Sequence, residues 1–210
     1  MPRALTLMAL LAVLAAPAGA APAPEFVGTV HAVTGRDLPH SWRPGCPVGP
    51  AQLRLVRLSY WGFDRRTHVG ALVVRDRVAG RVVRVFRRLY AERFPIRRMR
   101  KVDAYSGNDD ASMAADNTSA FNCRFVPGTR RWSQHAYGEA IDVNPLENPY
   151  LEGGRVRPPA GRRYLDRSDV RPGMAVPDGV LVRTFAALGW QWGGRWRASP
   201  DYQHFSTTGR

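Results

Sequence analysis

Residues 133–144 read S-Q-H-A-Y-G-E-A-I-D-V-N, a short stretch that combines a histidine with two carboxylates. Its first half is rich in turn-forming residues. Its second half alternates polar and apolar side chains and includes β-branched residues, which is typical of a half-buried strand. On that strand Asp142 shares a face with residues 140 and 144. The stretch therefore predicts a turn that carries His135 and a strand that carries Asp142.

A second polar group follows near the C-terminus, where residues 201–205 read D-Y-Q-H-F. Catalytic zinc sites use three protein ligands at roughly 2 Å and leave the fourth position open. His135, Asp142 and His204 are the right residue types for these three ligands. Asp201 precedes the last histidine by three residues, so a turn is needed before it faces the same ion. Residue types alone leave open the alternative that both histidines are ordinary core or surface residues.

The two stretches resemble the motifs of one known family. S-Q-H-A-Y-G-E-A-I-D matches the S-x-H-x-x-G-x-A-x-D signature of the VanY-like zinc peptidases of bacterial cell walls, and D-Y-Q-H-F is similar to their second motif. That family includes D,D-carboxypeptidases, which trim D-Ala-D-Ala stems, and endopeptidases that cut L-Ala-D-Glu bonds. The chain resembles most the extracellular branch, in which the general base is Asp. The similarity runs from about residue 41 to the end.

The resemblance implies roles for individual residues. His135, Asp142 and His204 would bind Zn²⁺. Asp201 would be the general base, and Ser133 would lie near the substrate. The implied fold is α+β: a small, mainly antiparallel sheet with packed helices and a zinc cleft, as in hedgehog and D,D-peptidase domains. The implied substrates are peptidoglycan stem peptides.

One position departs from the family pattern. Many members carry an Arg and a Gln some 25 to 30 residues before the first ligand, where they hold the substrate and the developing oxyanion. Here residues 103–113 read D-A-Y-S-G-N-D-D-A-S-M, without an Arg. Arg124 is the candidate replacement, and Asn117 is a second candidate for substrate binding.

The N-terminal region predicts export from a bacterial cell. Residues 1–20 contain one charge, an apolar run and an A-G-A end, the pattern of a secretory signal peptide. A membrane anchor is the rival interpretation, but the run is shorter than a spanning helix requires. Residues 21–40 then predict a flexible arm and 41–210 a single peptidase domain, expected to be a monomer in the cell wall. Cys46 and Cys123, the two cysteines of the chain, predict a disulfide in such a compartment.

The chain carries a formal net charge of +14, almost all of it from arginine. Such a surface favours polyanions, and anionic wall polymers are the expected additional partner. The alternative is that arginine is only a compositional background. A secreted nuclease would also suit the charge, but no phosphate-cradling motif is present, so no nucleic-acid partner is expected.

Hydrophobic periodicity predicts the main elements. Residues 69–74 and 96–105 are predicted strands, and residues 106–117 a polar loop. The region from Asp76, its predicted cap, to Pro95 is an amphipathic helix, for which packing on a sheet is favoured over a membrane surface. Residues 144–176, rich in Pro and Gly, predict a long functional loop, followed by a helix at 180–188.

The most specific function that these observations predict is a D-alanyl-D-alanine carboxypeptidase. The alternatives are an L-Ala-D-Glu endopeptidase and a non-catalytic wall-binding protein of the same fold. A non-catalytic relative would be expected to lack a ligand or the base, whereas all four residues are present.

Overall fold

The computed structural model describes residues 24–209. A three-stranded antiparallel sheet comprises β1 (Gly28–Ala32), β2 (Leu53–Trp61) and β3 (Thr67–Arg75), in the order β1-β2-β3. The strand predicted at 69–74 is therefore confirmed and is longer than expected. The predicted flexible arm over 21–40 needs correction, because residues 28–32 pair along their whole length with β2. The predicted signal peptide at 1–20 lies outside the described residues.

Helix α1 (Asp76–Ala91) follows β3 directly and packs across the sheet. Its buried residues recur at helical spacing and form the main core with apolar side chains of β2 and β3: Val78, Ala79, Val82, Val85, Phe86, Leu89 and Tyr90. The prediction of a core helix is confirmed. Its cap was predicted wrongly: Arg75 is the N-cap residue, and the Asp76 carboxylate accepts a bond from the next backbone N–H. The helix ends at Ala91, before Pro95.

The segment after α1 is less regular than predicted. Only Arg98–Met99 of the expected 96–105 strand is extended (β4), and it pairs in parallel with β5 (Asn117–Thr118). The predicted polar loop contains helix α2 (Asp109–Ala114), whose N-cap Asn108 accepts a hydrogen bond from Ala111 N. Side-chain capping of this kind favours a short helix that hydrophobic periodicity does not reveal.

A second antiparallel sheet holds both sequence motifs. Its strands are β6 (Ala140–Asp142), β9 (Gln191–Trp192) and β10 (His204–Ser206), with β10 in the centre. Helix α3 (Val180–Ala186) packs beside it, where Phe185 stacks on Phe205 with ring centroids 4.2 Å apart. Both sheets contribute to one core, which contains Ile141 of β6 and the side chains of α1.

The long segment at 144–176 is only partly a loop. It contains a hairpin, β7 (Tyr150–Glu152) with β8 (Arg155–Arg157), in which Tyr150 pairs with Arg157. Arg167 ties the rest of the segment together by donating to Glu147 O, Asn148 Oδ1 and Ala175 O.

Cys46 and Cys123 form a disulfide, as the sequence predicted. It joins the residues before β2 to the segment that leads into the first motif, and Cys123 packs in a smaller cluster with Leu38, Val48 and Phe121. The α+β class with small, mainly antiparallel sheets is confirmed. Among residues 24–209, none of the helices combines the length and hydrophobicity that crossing a membrane requires.

Candidate metal centre

His135 lies in a short 3₁₀ turn, Gln134–Tyr137. One hydrogen bond fixes its backbone and another fixes its ring. Ser133 Oγ accepts a hydrogen bond from His135 N at 3.3 Å and so caps the turn. The imidazole Nδ1 lies 2.6 Å from Ala120 O. A carbonyl can only accept, so Nδ1 carries the proton and the Nε2 lone pair faces the other way. Metal-binding histidines are oriented in this manner.

Asp142 and His204 are brought together by strand pairing. The two residues are direct partners in the antiparallel register of β6 and β10, so their side chains project from the same face of the sheet. Asp142 Oδ1 lies 3.0 Å from His204 Nδ1, and Asp142 Oδ2 lies 3.1 Å from His135 Nε2. The two imidazole nitrogens are 3.3 Å apart.

These three residues fit a zinc ion. Bonds of roughly 2.0–2.1 Å in a tetrahedron place neighbouring ligand atoms about 3.3 Å apart, close to the separations found here. Each of His135, Asp142 and His204 is at most 5 % exposed. In the neutral form that binds metals, the imidazoles would leave the buried carboxylate with an uncompensated negative charge, which a bound cation would balance. The donor set and its spacing therefore suit a divalent metal with two nitrogen ligands and one oxygen ligand.

The electrostatics of the group point in the same direction. Burial raises the pKa of Asp142, but the charges and hydrogen bonds of His135 and His204 outweigh it and hold that pKa well below its usual range. Burial lowers the pKa of His135, but the Asp142 charge and hydrogen bond outweigh it, so that pKa lies above its ordinary value. The carboxylate is thus kept ionised and attracts positive charge to this point.

Asp201 lies beside this group without being hydrogen-bonded through its Oδ1 atom. His204 N donates to Asp201 O, and this turn brings the two side chains to one side of the chain, as the three-residue spacing required. Burial, followed by repulsion from Asp142, raises the pKa of Asp201 to about 7. A buried carboxylate with an unpartnered oxygen at this position suits proton transfer.

The four residues line a cavity of about 620 Å³. Its walls carry four aromatic rings, three arginines and several polar groups; the lining includes Met113, Arg124, Arg131, Trp132, Ser133, Gln134, Tyr137, Tyr150, Arg157, Trp196 and Gln203. A cavity of this size accommodates a short peptide next to the His-Asp-His group.

Of the three residues predicted to bind substrate, two line the cavity and one does not. Ser133 and Arg124 line the cavity, and Arg124 pairs with Asp109 of α2 at 2.8 Å. Asn117 does not line it. The Asn117 side chain is fully buried. Its Oδ1 accepts a hydrogen bond from Arg100 N, and its Nδ2 donates to Arg100 O and to Ser112 Oγ. Asn117 therefore joins β5 to its neighbour, which corrects the expectation that it binds substrate.

The structure also places residues in the cavity that sequence reasoning missed. Tyr150 pairs with Arg157 across the β7–β8 hairpin and with Asp201 across an isolated bridge. The three side chains therefore form one lateral row, which spans about 10 Å at the spacing of neighbouring strands. Gln203 also lines the cavity, and its Oε1 atom is buried without a hydrogen-bond partner. The pair Gly153-Gly154 between two short runs was the sequence signal for this hairpin.

A buried His-Asp-His group with a carboxylate beside it at the wall of a peptide-sized cavity defines a candidate metal-dependent hydrolase site. The family model described as D-alanyl-D-alanine carboxypeptidase matches residues 127–207, which include all four of these residues. This match confirms the predicted resemblance to VanY-like peptidases, and it supports a peptidase activity. Comparisons with curated proteins and with solved structures found no match.

Proposed function

We propose that this protein is an exported, zinc-dependent peptidase that hydrolyses amide bonds in peptidoglycan stem peptides, acting as a D-alanyl-D-alanine carboxypeptidase. The observation that carries the proposal is the buried His-Asp-His group with the unpartnered Asp201 oxygen beside it. In that group the two imidazole nitrogens lie 3.3 Å apart, and the two Asp142 oxygens lie 3.0 and 3.1 Å from them. The family match supports the peptidase class, and the disulfide suits an oxidising compartment.

His135, Asp142 and His204 are the proposed zinc ligands. With zinc bound by these residues, the site would supply Lewis-acid activation of the scissile carbonyl and of the attacking water. The protein contributes a rigid ligand set, because Ala120 O orients the His135 ring and strand pairing fixes Asp142 against His204. Ligands held in place in this way need little reorganisation when the metal or the substrate binds.

Asp201 is the proposed general base and acid. Its carboxylate would accept a proton from the attacking water and return it to the leaving amine as the C–N bond breaks. Its unbonded oxygen is available for this task, and its main chain is fixed because Asp201 N donates to Gly193 O. A bound dication would lower the pKa of Asp201 and so increase its ionised fraction.

Arg124 is the proposed cation for the substrate carboxylate or the developing oxyanion. It lines the cavity, and its Nε is buried without a hydrogen-bond partner. Its pairing with Asp109 holds the guanidinium in position while leaving donors available for a bidentate contact.

An endopeptidase that cuts L-Ala-D-Glu bonds is the second candidate function. The row of side chains from Asp201 through Tyr150 to Arg157 extends the cavity wall well beyond the length of a terminal D-alanine. A longer stretch of peptide on one side of the scissile bond would use this wall.

Hydrolysis of purified stem pentapeptides by the mature chain, with zinc measured on the same sample, tests the proposal. We expect free D-Ala, about one zinc per chain, and an Asp201→Asn variant that keeps the zinc but loses at least about 10³-fold in kcat. Internal cleavage would favour the endopeptidase. Zinc binding without cleavage of any stem peptide would overturn both catalytic candidates and favour a non-catalytic wall-binding protein.

A further inference from the structure

The exposed side of α1 carries a stripe of arginines. Arg77, Arg81, Arg84 and Arg88 are spaced by four, three and four residues, which places them on one face of the helix. The stripe is about 16 Å long, with neighbouring arginines roughly 4.5–6 Å apart along the axis. The opposite face of α1 is buried in the core, so this stripe is the surface that the helix presents outward.

Helix α3 forms the other side of a groove along this stripe. The groove has a volume of about 400 Å³, and its lining combines three arginines with small and apolar side chains: Arg84, Arg88, Val180, Arg183, Thr184, Ala187 and Leu188. It shares no lining residue with the cavity that contains His135 and His204. The groove is therefore a separate surface feature.

The positive charge here is only partly compensated. Arg77 pairs with Glu139, and Arg88 pairs with Glu92. Within residues 24–209, neither Arg81 nor Arg84 forms an ion pair with a carboxylate, and Arg183 donates to a backbone carbonyl. Of the three arginines that line the cavity, Arg124 and Arg157 each have a carboxylate partner. Five arginines against two carboxylates leave a local excess of three positive charges.

We propose that the α1–α3 groove binds a polyol-phosphate polymer, an anionic chain of phosphodiesters that carries no aromatic bases. Guanidinium groups bind phosphate oxygens in a bidentate manner, and their spacing along α1 allows successive phosphates of a flexible chain to be contacted. The apolar side chains of Val180, Ala187 and Leu188 offer contact area to the polyol carbons. This site is independent of the proposed catalytic function.

Two other polyanions fit the groove less well. Single-stranded nucleic acids gain much of their binding energy by stacking bases on aromatic rings, and the groove lining contains none. Anionic membranes bind helices that insert an apolar face, whereas the apolar face of α1 is already buried, as Val78, Val82 and Phe86 show. The groove is positively charged, its lining has no aromatic ring, and α1 has no free apolar face to insert into a membrane. These features favour a soluble phosphodiester chain.

The test compares two variants of the mature chain that lose the same charge. R84Q/R88Q/R183Q removes the groove arginines, and R36Q/R66Q/R162Q removes three exposed arginines elsewhere. The probe is synthetic poly(glycerol phosphate), and its Kd is measured at several salt concentrations. We expect the groove variant to bind at least about 10-fold more weakly and with a shallower salt dependence. The control should change less than about 3-fold, and both should keep the wild-type thermal midpoint.

Equal losses in the two variants would overturn the proposal, because they would show binding to diffuse surface charge. Oligo-dT of matched charge and vesicles of anionic lipid serve as further probes. Binding of either that is as tight as the polymer and equally sensitive to the groove substitutions would also overturn it. Hydrolysis of soluble stem peptides by the groove variant should equal that of the wild type, which separates this result from the catalytic proposal.

Discussion

His204 lies directly opposite Asp142 in the antiparallel pair β6–β10, with His204 Nδ1 3.0 Å from Asp142 Oδ1. The two residues are 62 positions apart in the chain, and strand register alone brings them together. The proposed metal centre therefore depends on the pairing of the two sequence motifs, and this relation leads to the first prediction.

Replacing one proposed ligand should release the metal. We expect His204→Ala to reduce bound zinc from about one per chain to less than about one tenth and to abolish peptide hydrolysis, because two ligands cannot hold the ion. Zinc analysis after dialysis, together with circular dichroism, provides the measurement. The control is His68→Ala, which removes an exposed histidine whose ring bonds the Asp64 carboxylate and stacks on the Tyr60 ring. Zinc retained at the wild-type level by the His204 variant would contradict the ligand assignment.

Substitution of Arg124 should weaken action on substrates with a free carboxyl end. Loss of a charge-assisted hydrogen bond corresponds to about 1.5–3 kcal/mol, or roughly 10–100-fold in kcat/KM. We expect Arg124→Gln to show this loss on stem peptides with a free C-terminus and a much smaller loss on C-terminally amidated peptides. The exposed neighbour Arg130 provides the matched variant, Arg130→Gln. Equal losses on free and amidated peptides would assign Arg124 to the oxyanion or to structure.

Glu147 should make stability depend on pH. Its side chain is fully buried, and burial together with the neighbouring Asp116 carboxylate raises the pKa of Glu147 to about 8. Arg97 lies 3.8 Å from Glu147, and the Tyr164 hydroxyl donates to it at 3.2 Å. Between about pH 4.5 and 8 the folded state keeps a proton that the unfolded state releases. The free energy of unfolding should therefore fall as pH rises through this window and level off above it.

Glu147→Gln should remove this dependence, since the amide resembles the protonated carboxyl. The slope of the unfolding free energy against pH measures how many protons the chain releases on unfolding. Between pH 4.5 and 8 we expect this number to be about one smaller in the variant than in the wild type. At pH 8 to 9 it should be more stable than the wild type by an amount on the order of a few kcal/mol. Urea unfolding at pH 5, 6, 7, 8 and 9 measures this. The exposed Glu92→Gln serves as the control, and coincident slopes for wild type and Glu147→Gln would contradict the prediction.

Gly138 of the first motif should not tolerate a side chain. Its φ is +70°, and a Cβ there would lie 2.6 Å from Arg75 N and 3.1 Å from a Leu53 methyl. We expect Gly138→Ala to reduce the unfolding free energy by about 2 kcal/mol or more, through backbone strain and contact with β3. Gly128 has the same φ with nothing within 4 Å, so Gly128→Ala measures the strain alone. Equal losses in chemical denaturation would mean that the close approach to β3 contributes nothing.

Local patterns in the sequence were sufficient for several elements. Helix α1 was predictable because its apolar residues recur at helical spacing over more than four turns, and strand β6 because polar and apolar residues alternate. Residues 28–32 were not recognised as a strand, because the segment is short and its partner, β2, lies far along the chain. The hairpin at 150–157 pairs locally, but its strands are only three residues long and lie inside a segment rich in Pro and Gly. Helix α2 was missed because it begins at an Asn cap and has little apolar periodicity.

The sequence by itself determined which residues are candidates for chemistry: two histidines and two carboxylates in compact motifs, a disulfide pair, and an excess of arginine. Side-chain chemistry is a local property, so residue type and spacing limit the candidates, and the likeness of the two motifs to a known family selected among them. The tertiary structure decided which of these residues meet. It placed Arg124 at the cavity wall and Asn117 in a buried contact, added Tyr150 and Arg157 to the wall, and brought Arg183 of α3 into one groove with two α1 arginines. Such proximities follow from strand register and helix packing between distant segments, which no local pattern encodes.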